Sequence, residues 1–208
     1  MNDIKIEDKF LSSYELKKIQ ELFSPLPSSD KKSFPPIPWE LGIIQNQDPH
    51  FVSPDGNETI ENPYFSPDNK GSYDNYHLVH QIYHGTSPSI GIDPLVTPSA
   101  HVIIPIFFSK LDSIGILRIK SNLLMRTSEI IPHSFHTDYE CNMGSNRYDK
   151  ATTSIFYLNT NDGYTEFEDG TRIESVANRL VTFPNHMKHR GTTCTNKPFR
   201  MVINFNYF

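Results

Sequence analysis

From Ile114 onward the chain is a succession of short β-prone runs separated by polar turns, and this texture limits the fold more than any other feature. The runs are Ile114–Asn122, Phe135–Glu140, Ala151–Leu158, Thr165–Phe167, Thr171–Val176, Arg179–Phe183, His189–Thr193 and Phe199–Tyr207. Turn signals at Asp162-Gly163, Asp169-Gly170 and Asn196-Lys197-Pro198 separate several of them. Many short strands at close spacing predict an all-β sandwich or barrel.

The N-terminal half reads differently. Twelve of the 16 prolines lie before residue 99, so the two halves should differ in architecture. Phe10 to Phe23 reads as an amphipathic helix: Ser12 and Glu15 have capping-box spacing, Leu16, Ile19 and Leu22 form a stripe, and Pro25 and Pro27 stop it. From Ser28 to about Tyr76, Pro, Ser, Asn and Asp dominate, with turn signals such as Ser53-Pro54-Asp55-Gly56. This predicts long loops with short strands. His101 to Leu111 is apolar enough to be buried, as helix or strand, with Pro105 against either. The chain is mainly β, and the pattern predicts a jelly roll, a double-stranded β-helix, with N-terminal helices packed on one sheet. Its 208 residues suit a single domain, 1–208, with helices and loops over 1–113 and the jelly-roll core over 114–208. Hydrophobic content is only 37 %, but 14 Phe and 10 Tyr bury much area per residue.

Within the β half, His136-Thr137-Asp138 carries the chemistry. Two histidines and one carboxylate are the set that holds non-haem Fe(II) while leaving coordination positions open. In a strand, residues two apart leave the same face, so His136 and Asp138 can share a metal. His186 and His189 are the candidates for the third ligand, and His189 begins the next apparent strand. Arg200 opens the terminal strand, where alternation puts it with Val202, Asn204 and Asn206, opposite Met201, Ile203, Phe205 and Tyr207. A barrel-facing Arg needs an anionic partner, and its guanidinium fork matches a carboxylate. Arg190 should point away from this face. Arg118, Lys120 and Asn122 alternate onto one polar face of an earlier strand.

The order His136, Asp138, His189, Arg200 resembles the 2-oxoglutarate- and Fe(II)-dependent oxygenases, particularly the prolyl 4-hydroxylase-like branch and small phage-type members. The spacing of 53 residues from His136 to His189 and 11 more to Arg200 carries the resemblance and selects His189 over His186. Thr153 to Asn159 resembles the strand in which a Tyr before Leu-Asn binds the co-substrate's distal carboxylate; here it is Tyr157. The strand of Arg118 resembles one lining the co-substrate pocket, which makes Asn122 a contact. Asp162 to Phe167 matches the family's Gly-Gly-Glu-Thr only in part, so no role passes to Glu166. The resemblance implies Fe(II) on His136, Asp138 and His189. It implies 2-oxoglutarate on Arg200, Tyr157 and Asn122, with dioxygen and a peptidyl (prolyl) or small-molecule substrate completing a hydroxylation. Asp138 argues against halogenation, since halogenases of the family generally lack the carboxylate ligand.

Rival readings are a cupin-type metalloprotein, which would need an HxH unit absent here, and a noncatalytic jelly-roll binding or virion-associated module with a vestigial metal site. His77, His80 and His84 would share a face if helical, but lack a carboxylate at ligand spacing and read as solvent-facing or core-edge residues. Tyr139, Glu140 and Cys141 are placed to line a substrate mouth. A net charge of −5 disfavours nucleic acid as a partner. Neither a signal peptide nor a membrane span is evident, and Cys141 and Cys194 form no metal spacing or disulfide framework, so the expectation is a cytoplasmic protein.

Overall fold

A computed structural model describes residues 4–23, 37–43, 50–52, 59–61, 76–85, 95–138 and 150–208. The first helix, α1 (Ser13–Leu22), starts where its capping box puts it. Ser12 Oγ accepts from the Glu15 amide, and Glu15 Oε2 accepts from the Ser12 amide at 2.9 Å, so two otherwise orphaned donors are satisfied. Ile19 and Leu22 are buried, as the stripe requires. Pro25 and Pro27 lie outside the described residues.

The ambiguous apolar run is a helix, α2 (Ala100–Phe108). Ile103 and Phe107, four apart, are fully buried, while Pro105 sits on the exposed side. Its missing N–H therefore leaves a carbonyl that solvent can reach. Among the described residues, no helix is long and apolar enough to cross a membrane.

Thirteen strands are described, and the expected C-terminal runs account for most of the second half. They are β7 (Ile116–Met125), β8 (Thr152–Tyr157), β9 (Tyr164–Phe167), β10 (Arg172–Glu174), β11 (Arg179–Pro184), β12 (His189–Gly191) and β13 (Phe199–Tyr207). The N-terminal half adds β1 (Lys5–Asp8), β2 (Glu40–Ile43), β3 (His50–Val52), β4 (Thr59–Glu61), β5 (Tyr76–His84) and β6 (Leu95–Val96). The large antiparallel sheet runs β1-β11-β8-β13-β7-β5-β2, with β6 beside β5. A small sheet, β10-β9-β12, faces it. This is the jelly roll with helices on one side. Strands β3 and β4 pair around the Ser53–Gly56 turn signal, which itself lies outside the described residues.

One expectation fails. The described part of the Phe135–Glu140 run, 135–138, is not a strand, and its only bridge is His136 to His189. The segment bends so that Asp138 turns inward to side-chain donors instead of continuing a ladder. His77, His80 and His84 lie on β5, where the pleat separates His77 from His80, so the face they would share on a helix does not form. Of the two readings, solvent-facing or core-edge, His80 takes the second. It is buried against Phe23 and Trp39, with its ring nitrogens on the Pro38 carbonyl (3.1 Å) and Ser99 Oγ (2.8 Å).

The two faces of β13 divide the core. Met201, Ile203, Phe205 and Tyr207 pack with Ile19, Ile103 and Phe107 of the helices, and Val202 joins Ile155, Tyr157, Phe167, Val181 and Phe183 between the sheets. Asn178 fixes the helical layer to the sheet: its side chain exchanges two 2.8 Å hydrogen bonds with the Leu11 backbone. At the centre of that layer, Phe107 meets Phe10, Phe156 and Phe205 at centroid distances of 5.9, 5.0 and 4.5 Å. Phe107→Ala should cost ~3–5 kcal/mol, read as an earlier midpoint in urea unfolding; an unchanged midpoint would contradict this packing.

Candidate metal centre

The site is built on a pair of backbone hydrogen bonds. The amide of His136 donates to the His189 carbonyl and the amide of His189 to the His136 carbonyl, both at 2.9 Å. This fixes the two imidazoles side by side, with ring centroids 4.9 Å apart. The Nδ1 atoms lie 3.1 Å from the Ser134 carbonyl and 3.2 Å from the Met187 carbonyl. A carbonyl can only accept, so each Nδ1 carries the proton and each Nε2 keeps its lone pair. Burial, the largest cause, pushes His189 down to about 4, so the ring is neutral near pH 7.

Asp138 completes the group. Asn204 Nδ2 donates to both of its carboxylate oxygens, at 3.2 and 3.0 Å, and Asn206 Nδ2 reaches Oδ2 at 3.5 Å. Arg118 donates to the Asp138 backbone carbonyl and lies 3.6 Å from Oδ1. Burial alone would raise this carboxyl, but the charges of His189, Arg118, Lys120 and His136 hold it well below the usual range. One ligand atom from each of His136, Asp138 and His189 lies within 4.8 Å of the others. Asp138 and His189 are buried, whereas His136 is partly open. Two imidazole lone pairs and a carboxylate fit Fe(II), and His189 Nε2 is a buried atom with no hydrogen-bond partner. His186 is exposed and stays outside the group.

Arg200 is 2 % exposed. Its Nε donates to Ser175 Oγ at 2.7 Å and its Nη2 to Thr165 Oγ1 at 3.1 Å; among the described residues no carboxylate pairs with it. The Tyr157 ring centroid is 5.6 Å away, and its hydroxyl donates to Thr165 Oγ1 at 2.8 Å. A fully buried guanidinium without an anion is costly, so the arrangement suits a carboxylate-bearing ligand. Two glycines make room for it. A Cβ on Gly163 would lie 2.7 Å from Arg200 Cδ and 2.6 Å from the Thr193 carbonyl oxygen, and one on Gly191 would lie 3.2 Å from Arg200 Nη1. Arg190 turns away, as expected, to Glu166 Oε2 (2.7 Å) and the Phe135 ring (4.4 Å).

The pleat also carries polar groups onto this inner face that sequence reasoning undervalued. In register, His77 lies opposite Leu124, itself opposite Arg200; Val79, Asn122 and Val202 form the next row, and Gln81, Lys120 and Asn204 the next. Arg118, Lys120 and Asn122 therefore face the interior. Burial, chiefly, pushes Lys120 down to about 8, His77 to about 4 and His133 to about 3. Among the described residues, six buried side-chain atoms have no hydrogen-bond partner: His77 Nδ1, Gln81 Oε1, Asn122 Oδ1, His133 Nε2, His189 Nε2 and Asn204 Oδ1. Native interiors rarely leave such atoms unpaired, and these belong to the wall of the candidate site, where a polar ligand would pair them. His77 was legible as a strand residue from Tyr76, Val79, Ile82 and Tyr83; nothing local marked His133. Tyr139, Glu140 and Cys141 lie outside the described residues.

Residues 131–208, which contain the His-Asp-His group and Arg200, match the family model of the 2OG-Fe(II) oxygenase superfamily. No curated protein matches the chain in sequence. Among solved structures, an oxidoreductase of the 2OG-Fe(II) oxygenase family from Burkholderia pseudomallei superposes with TM-score 0.56 at 11 % identity, covering 99 % of this chain and 84 % of the other. A Trichoplax adhaerens prolyl hydroxylase, in complex with a hypoxia inducible factor oxygen degradation domain peptide fragment, gives 0.52 at 14 % identity, covering 100 % and 84 %. A Pseudomonas putida prolyl-4-hydroxylase gives 0.50 at 11 % identity, covering 100 % and 93 %. At such identities the likeness establishes the fold.

The buried histidines set an acid limit on stability. His77 and His133 titrate near 4 and 3 in the folded chain against an ordinary 6.5, so below pH 6.5 the unfolded chain binds more protons than the native one. Stability should be full above pH 6.5 and fall toward pH 4, at most ~1.4 kcal/mol per pH unit for each residue. Thermal unfolding between pH 4 and 7 checks this: His77→Leu with His133→Leu should flatten the slope, and an unaltered slope would refute the assignment.

Proposed function

We propose that this chain, whose residues 131–208 match the family model of the 2OG-Fe(II) oxygenase superfamily, is a 2-oxoglutarate-dependent dioxygenase that hydroxylates its substrate. The observation that carries the reading is a His-Asp-His group with converging ligand atoms on the same wall as a buried Arg200 that no carboxylate neutralises among the described residues. His136, Asp138 and His189 would hold Fe(II); Arg200 and Tyr157 would hold the distal carboxylate of 2-oxoglutarate, with the Asn122 amide Nδ2–H donating to the same co-substrate. When bound, the iron and co-substrate supply the oxidising chemistry, consuming dioxygen and releasing succinate and carbon dioxide.

The chain's own residues do the positioning. The paired backbone bonds between His136 and His189 hold both imidazoles at a fixed separation before any ion arrives. Asn204 and Asn206 orient the Asp138 carboxylate, and Arg118 holds its backbone. Ser175 and Thr165 lock two sides of the Arg200 fork, so little rotamer freedom is lost when a carboxylate docks. The Tyr157 phenol, held neutral because burial raises its pKa, can turn its one O–H from Thr165 Oγ1 to the same carboxylate. The open side of His136 is the approach for substrate. The prolyl hydroxylases among the similar folds make a peptidyl-prolyl substrate the first to test, with small molecules next.

Anaerobic addition of Fe(II) and then 2-oxoglutarate should produce a visible charge-transfer band. Absence of the band in folded protein, or its survival in His136→Ala, would overturn the oxygenase reading. Arg200→Ala should weaken 2-oxoglutarate binding by ~2–5 kcal/mol, the usual loss on truncating one partner of a buried charge pair, while iron affinity stays as in the parent. Equal loss of both ligands would instead mark Arg200 as structural.

A further inference from the structure

His133 precedes the candidate ligand His136 by three residues and is tied to the strand that carries His189. Its backbone amide donates to the Gly191 carbonyl at 2.9 Å. Gly191 is also the residue that abuts the Arg200 guanidinium, where a Cβ would come within 3.2 Å of Nη1. One glycine of β12 thus supports His133 through its carbonyl and leaves space for Arg200 at its Cα. The charges of His77, Arg200 and His136 all act on the His133 ring. Its Nε2 is fully buried and has no hydrogen-bond partner among the described residues.

A carboxylate offers about four lone-pair positions, and one guanidinium face fills at most two of them. Arg200 already spends Nε on Ser175 and Nη2 on Thr165. A carboxylate at this anchor therefore has acceptor capacity left over, and His133, whose backbone is held by the same glycine that abuts Arg200, carries an imidazole nitrogen with no partner among the described residues. A second cation beside Arg200 would be repelled in so enclosed a place, whereas a neutral imidazole adds an N–H donor without that cost.

We propose that His133 is a co-substrate-binding residue, its Nε2–H donating to the distal carboxylate that Arg200 anchors; this rests on the oxygenase reading above. His133 thereby forms the third side of the anchor, opposite Tyr157 and Thr165. It also sets the distance from the anchor to the metal ligands, because the segment carrying it runs on to His136. The consequence is selectivity for a dicarboxylate: a keto acid without a distal carboxylate gains nothing from His133.

Two variants of similar bulk separate a donor from mere packing: His133→Gln keeps an N–H donor and His133→Leu does not. Affinity for 2-oxoglutarate is titrated anaerobically on the Fe(II) protein by the visible band and on the Mn(II) protein by calorimetry, with pyruvate as the probe that lacks the distal carboxylate. His133→Leu should weaken 2-oxoglutarate by ~10-fold or more, the worth of one charge-assisted hydrogen bond. Pyruvate and metal affinities should not change, and His133→Gln should recover most of the loss. Parental 2-oxoglutarate affinity in His133→Leu overturns the assignment, as does an equal loss of pyruvate or metal binding, or a failure of His133→Gln to recover. A parent protein that binds no 2-oxoglutarate at all would instead remove the oxygenase reading itself.

Discussion

Strand β13 meets opposite demands on alternate residues, and both the fold and the site depend on its doing so. On one side Met201, Ile203, Phe205 and Tyr207 close the core beneath the two helices; on the other, Arg200, Asn204 and Asn206 carry polar groups into the interior. A period of two allows this only if the register with β7 and β8 is held without slip, since a shift of one residue would bury the wrong set. The register runs unbroken from Phe199–Met125 to Asn206–Arg118 on one flank and from Val202–Tyr157 to Tyr207–Thr152 on the other. The apolar face supplies the stability that offsets burying the guanidinium and amides on the opposite face.

This division explains what the sequence made legible. Alternation in Phe199–Tyr207 is a local property, so the inward aim of Arg200 could be read without coordinates. Tyr157 and Asn122 come from the resemblance of their strands to the oxygenase family, alternation only placing Asn122 with Arg118 and Lys120. The choice of His189 over His186 also followed from strand position, because His186 sits exposed in the turn that Pro184 introduces.

Where reading failed, long-range contacts decided the outcome. The segment around Asp138 has strand-like composition, yet its ladder stops at the His136–His189 bridge, because Asn204, Asn206 and Arg118, remote in sequence, claim Asp138. The spacing of His77, His80 and His84 imitates a helical face, whereas the residues between them favour a strand and the pairing with β7 imposes one. Nothing near His133 announces its proximity to Arg200; that comes from Gly191, 58 residues further on (191 − 133). The glycines at 163 and 191 are equally silent, since their value is the space they leave.

Strand order carries a further implication for biosynthesis. Both neighbours of β13, β7 and β8, precede it in the chain, as do the segments bearing His136 and His189. A nascent chain emerging from the ribosome therefore holds the histidines of the candidate metal centre before it has the strand that joins the sheet and steadies Asp138. Until Phe199 to Tyr207 is threaded between its neighbours, β7 and β8 expose unpaired edges, and the polypeptide depends on late closure to avoid association with other chains.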